Sequence, residues 1–154
     1  MIKATIDYSD ISRYLDRMAR IIEQCVVEEF IEWAKRDDDY LRSNNGFTDH
    51  TGNLRSSLGA GVYNDAKLVF STSFQTVLNG ARGSAEGKQA LQQMAEQTRG
   101  RVAKVMVAGM GYAQEVEDIE SKDVLESRRI QCEEEAGRII ERAMHKAEER
   151  IKHI

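Results

Sequence analysis

From Ser9 onward the apolar residues Ile11, Leu15, Met18, Ile22, Val26, Phe30 and Trp33 recur every three or four positions, which places them on one face of a long helix. Ser9 or Asp10 is predicted to cap its start by accepting backbone N–H bonds. Asp37, Asp38 and Asp39 would sit at the unfavourable end of the helix dipole, so the helix is predicted to fail there, and Ser-Asn-Asn-Gly at 43–46 closes the segment.

Next comes the polar stretch FTDHTGNLRSSLGAGVYND, residues 47–65. Its Leu-Arg-Ser-Ser-Leu portion reads as one helical turn, with Asp49 or Thr51 as cap, and with Leu54 and Leu58 four apart on one side. Two β-rich runs follow around Asn64 and Asp65, residues that tolerate the positive φ of a tight hairpin. Alternation along the second run places Leu68, Phe70, Thr72 and Phe74 on one sheet face.

Gly80, Gly83 and Gly87 predict a mobile loop leading into a middle helix that buries Leu91, Met94 and Ala95 and ends at Gly100. The run at 101–109 reads as a third strand, apolar on both faces and hence central. An acidic connection leads to a terminal helix from about Leu125 to Ile151, whose inner face is Cys132, Ala136, Ile139, Ala143, Ala147 and Ile151. The expected fold is α+β: one domain over residues 1–154, with a small antiparallel sheet of three or four strands against long N- and C-terminal helices and a middle helix. Open sheet edges in such a fold offer a route to pairing between subunits.

Composition narrows the function classes. With 41% hydrophobic and 31% charged residues the chain has the make-up of a globular protein, and its net charge of -4 argues against neutralising nucleic-acid phosphates as its main task. No sequence-specific nucleic-acid partner is expected. No apolar run reaches the length of a membrane span or of a signal peptide, so neither a membrane partner nor export is expected and assembly is placed in the cytoplasm. There is no proline, so turns are read from Gly, Asn and Asp. Cys25 and Cys132 fall on apolar stripes without metal-ligand spacing and are expected to be buried thiols.

Candidate chemistry begins with Asp49 and His50, because a His beside a carboxylate could act as a general base or help to hold a metal. A small metal-assisted hydrolase would combine them with acids from the segment 112–123. The remaining histidines, His145 and His153, form no metal-binding pattern, Ser56 and Ser57 lack the setting that exposes a nucleophile, and the glycines of residues 79–88 match no phosphate-binding fingerprint. The favoured reading of Asp49 and His50 is cap and turn chemistry. Charge is more informative: residues 82–104 carry five cations against two acids, whereas residues 112–123 carry five acids against Lys122. Opposed patches on one small domain can meet head to tail between identical subunits. A second alternative is an adaptor that uses the terminal helix as a coiled-coil arm.

Two motifs give the chain a resemblance to a family. The first is Thr51, Gly52, Asn53, Leu54, Arg55, Ser56, Ser57 and Leu58 running into a strand. The second is a strand followed by Tyr112, Ala113, Val116 and Glu117. In these motifs and in the order of its elements the chain resembles the tail-component proteins of tailed phages and prophages, the tail-completion or head–tail joining proteins. It departs from many relatives in lacking a proline-containing segment near the second motif. The resemblance implies a non-enzymatic virion part without a cofactor, a ring of six identical subunits where the tail meets the head connector, touching connector and tail-tube or terminator proteins. The expected contact surfaces are the segment 80–87, with Arg82 and Lys88, and the acidic connection, with Glu115, Asp118 and Glu120.

Overall fold

The computed structural model describes residues 1–5, 7–44, 46–118 and 122–154. Helix α1 (Ser9–Ser43) is followed by a single turn α2 (Asn53–Ser56), the hairpin β1 (Leu58–Asn64) and β2 (Lys67–Ser71), helix α3 (Ala81–Gln92), a 3-10 turn (Ala95–Thr98), strand β3 (Val102–Ala108), the short helix α4 (Ala113–Asp118) and helix α5 (Glu126–Ile151). The fold is α+β. Among the described residues no helix is long and apolar enough to cross a membrane.

The sheet is antiparallel in the order β2-β1-β3, with β1 pairing β3 from Leu58 opposite Ala108 to Asn64 opposite Val102. Helix α1 covers one face through Phe30, Ile31 and Ala34 against Ala60, Val62 and Met106. Helix α3 covers the other, where Tyr63, Phe74, Leu91 and Val107 form a second cluster. Where helices cover both sides of the sheet, as they do over β1 and β3, both faces of a strand must be apolar. That is why β3 reads as central in sequence although it lies at an edge, and why β1, buried at every position from Leu58 to Tyr63, holds the centre.

Several local expectations are corrected. Helix α1 runs through the acidic triplet, because Asp37 is completely buried and ion-paired with Lys104 and, at 2.7 Å, with Arg128, while Asp38 pairs with Arg42 at 3.2 Å. Neither Ser9 nor Asp10 caps its start. Tyr8 holds the cap position, and Asp7 Oδ1 accepts the Ser9 N–H at 2.9 Å. The hairpin turns one residue later than expected, with Asp65 at φ 48° and Ala66 at φ 63°.

Leu68 and Phe70 pack on opposite faces of the sheet, since the pairing slips between Val62 and Tyr63 and the irregularity turns the strand over. Thr72 and Phe74 lie beyond the end of β2. Thr72 Oγ1 still accepts the Ala60 N–H at 2.9 Å.

The segment 80–87 is not a loop but the first two turns of α3. Its glycines permit close packing: a Cβ on Gly83 would stand 1.9 Å from the Asn53 carbonyl oxygen. Helix α5 lies antiparallel to α1, as Arg128 reaches Asp37 while Arg150 reaches Glu28 at 2.8 Å. Its inner face carries Cys132, Ile139, Ala143 and Ala147 as expected, with Ala136 and Ile151 half-buried.

Candidate functional site

Both motifs border one cleft of about 330 Å³, lined on one side by residues 47–54 and on the other by Tyr112, Val116 and Lys122. Beneath it Leu54 and Leu58 enter a small core with Leu41, Phe47, Met110, Ala113 and Val124, and Val116 packs against it. Two segments far apart in sequence therefore share one hydrophobic anchor.

The polar residues of the first motif hold helix ends. Arg55 donates from Nη1 to the Arg42 carbonyl at 2.6 Å, satisfying one of the unpaired carbonyls at the end of α1, and from Nε to Asp49 Oδ2 at 2.6 Å. Its guanidinium also lies 5.2 Å from the Phe47 ring centroid. Asn53 Oδ1 accepts the Gly83 N–H at 3.0 Å and so caps α3 from outside. Gly52 adopts φ 79°, and a Cβ there would stand 2.0 Å from the Val77 carbonyl oxygen, so no side chain fits. Ser56 Oγ accepts the Val77 N–H at 2.8 Å and Ser57 Oγ donates to the Leu54 carbonyl at 2.7 Å. Both serines are fully buried.

In the second motif Glu117 does the same for α5. Its Oε1 faces the N–H groups of Val124 at 3.3 Å, Leu125 at 3.0 Å and Glu126 at 2.6 Å, and a carboxylate there also complements the positive end of the helix dipole. Asp123 Oδ1 adds a bond from the Ser127 N–H at 3.0 Å. Ala113 is buried, while Tyr112 remains 40% exposed at the cleft mouth. Partial burial pushes the Tyr112 phenol upward, and Arg82 and Glu86 at the start of α3 act on it in opposite senses.

The expected cap roles of Asp49 and Thr51 on α2 change accordingly. Gly52 holds the cap position without a side-chain bond, Thr51 Oγ1 accepts the Asn53 N–H at 3.3 Å, and Asp49 serves Arg55. Asp49 Oδ1 is buried without a hydrogen-bond partner. His50 is exposed beside it, and among the described residues no group of three or more His, Cys, Asp and Glu gathers as a metal site.

Of the expected contact residues, Arg82 pairs with Glu86 at 2.6 Å, Lys88 and Glu115 are exposed, and Asp118 accepts from Gln114 at 2.7 Å. Glu120 lies outside the described residues.

One cluster escaped the sequence reading. Asp37, Lys104, Arg128 and Glu135 form a buried ion network in which Arg128 Nη1 reaches Glu135 Oε1 at 3.0 Å and Trp33 Nε1 donates to Glu135 Oε2 at 2.9 Å. Burial opposes the charge on Arg128, yet its bonds to Glu135 and Asp37 prevail and raise its pKa further. Burial pushes the neighbouring Cys132 thiol up despite Lys104 Nζ at 3.1 Å, the reverse of what a nucleophile needs. The signal was present in the spacing of Cys25, Glu29, Trp33, Asp37 and Leu41, which puts two acids on a stripe of buried residues four apart.

No family model, curated protein or solved structure matches the chain. The resemblance therefore rests on the two motifs and the order of the elements.

Proposed function

We propose that the protein is a structural component of a tailed phage or prophage virion, assembling as a homo-oligomeric ring at the head–tail junction in tail completion. The observation that carries this reading is the employment of the motif residues. Arg55 holds the end of α1, Asn53 the start of α3 and Glu117 the start of α5, so the polar residues that bear the resemblance build a rigid joint. A joining protein needs such a rigid small domain, with free surface for its neighbours. Two open strand edges, on β2 and β3, and a projecting end of α1 supply that surface. The ring has six copies in this reading, binds connector and tail-tube or terminator proteins, and performs no catalysis.

The hydrolase alternative has weaker support, since one Asp49 oxygen is engaged by Arg55. The adaptor alternative is weakened because α5 is packed along α1 and is not a free arm. Native mass spectrometry across a concentration series, with and without connector and tail-tube proteins, tests the proposal. A closed homo-oligomer supports it, and a monomer under every condition rejects it.

A further inference from the structure

Helix α1 outruns everything packed on it. Its 35 residues span about 52 Å at 1.5 Å per residue. The antiparallel α5, whose Arg150 reaches Glu28, ends near the turn of Cys25, and Asn64 at the tip of the hairpin meets Glu23 at 2.6 Å. Before that point about three turns, Ser9 to Arg20, extend roughly 18 Å beyond the body. Among the described residues, no side chain from Ser9 to Ile22 hydrogen-bonds or ion-pairs with another element.

This arm carries the same apolar stripe as the packed part of the helix. Ile11, Tyr14 and Leu15 are 56%, 48% and 56% exposed, and Met18, Ile21 and Ile22 are half-covered. Three isolated turns are marginal in water, so a helix continued this far with its apolar face uncovered needs a surface to lie on.

The same chain offers such a surface. On the outer side of α5, Ile130, Ile140 and Met144 are exposed, with Gly137 between them leaving a notch open to close approach. Beside this stripe Glu134, Glu141 and Glu148 stand seven residues apart, exposed and without ion pairs. The arm presents Arg17 on the flank of its stripe, likewise exposed and unpaired. Apolar stripe meets apolar stripe, and basic flank meets acidic row. The arm cannot reach this surface within its own subunit, because the turns that follow it are fixed against the opposite, inner side of α5.

We infer that the α1 arm of one subunit docks on the outer face of α5 of a second copy. The contact is heterologous, the kind that generates a ring when the rotation between successive copies closes and an open filament when it does not. The inference rests on the ring reading and names the surfaces that would make the ring.

The test uses two full-length double variants altered only at exposed positions, Ile11→Glu with Leu15→Glu in the arm and Ile140→Glu with Met144→Glu on α5, each checked for retained helicity by circular dichroism. Native mass spectrometry should find wild type assembled and each variant monomeric alone, with association weakened at least about 100-fold. Mixed together the two should form a one-to-one heterodimer, because each keeps the half that the other has lost. A wild-type ring that persists in the arm variant overturns the inference and leaves the ring reading standing, as does an arm variant that dissociates while the α5 variant does not, which would mean that arms pair with each other. Absence of the heterodimer also overturns it. A monomeric wild type removes both readings.

Discussion

Replacing Arg55 by alanine removes a side chain that holds three things at once. The bonds to Asp49 Oδ2 and to the Arg42 carbonyl, each 2.6 Å, are lost with the contact to the Phe47 ring. Hydrogen bonds to charged groups contribute about 1.5–3 kcal/mol each. Arg55 and Asp49 are 20% and 19% exposed, so water reaches the vacated site and the lower end of that range applies. The remaining cost is an Asp49 carboxylate with one oxygen already unpartnered. The expected destabilisation is about 2–4 kcal/mol, read as a shift of the urea midpoint at unchanged slope by circular dichroism. Lysine keeps the charge but not the fork that serves two acceptors in different directions, so Arg55→Lys should recover less than half of the loss. His50→Ala, altering an exposed side chain of the same loop, should change stability by no more than about 0.5 kcal/mol. Were Arg55→Ala nearly neutral and His50→Ala the more damaging, the loop would not be the joint described.

The buried network predicts that Asp37→Asn, which leaves the Lys104 and Arg128 charges inside the fold, costs about 3–5 kcal/mol, whereas the exposed Asp39→Asn costs almost nothing, both measured by chemical denaturation. Glu117→Ala frees three amides at the start of α5 and should cost about 1–2 kcal/mol, with hydrogen exchange rising first at residues 124–126. Arg150 and then Lys146 hold the Glu28 carboxyl down to about 2, against an ordinary value of 4.5. Because the folded pKa is the lower one, this stabilisation is present above about pH 4.5 and is lost as pH falls towards about 2. Melting temperature should therefore drop across that window, and Glu28→Gln should flatten the drop.

The long helices, the hairpin and the third strand were legible because their periodicities of 3.6 and 2 survive in the sequence. What failed did so for physical reasons that periodicity does not carry. Strand order was misread because two helical layers make β1 and β3 equally apolar. Helix α1 outlasted its acidic triplet because Lys104 and Arg128, distant in sequence, neutralise Asp37. The glycines at 80–87 read as a loop because composition does not separate a flexible backbone from one pressed against Asn53. The stretch 47–58 was legible as cap and turn chemistry, and its anchors Leu54 and Leu58 are where the spacing placed them, but the partners of Arg55 and Glu117 needed coordinates. The arm was visible as the unbroken stripe from Ile11, although its lack of a partner within the subunit was not.

The mass of the assembled species tests the central proposal most directly. Purified full-length protein, taken through a concentration series by native mass spectrometry and imaged by negative-stain electron microscopy, should give one closed ring of fixed copy number with an open centre. A monomer at every concentration, alone and with connector and tail-tube proteins, would contradict the proposal.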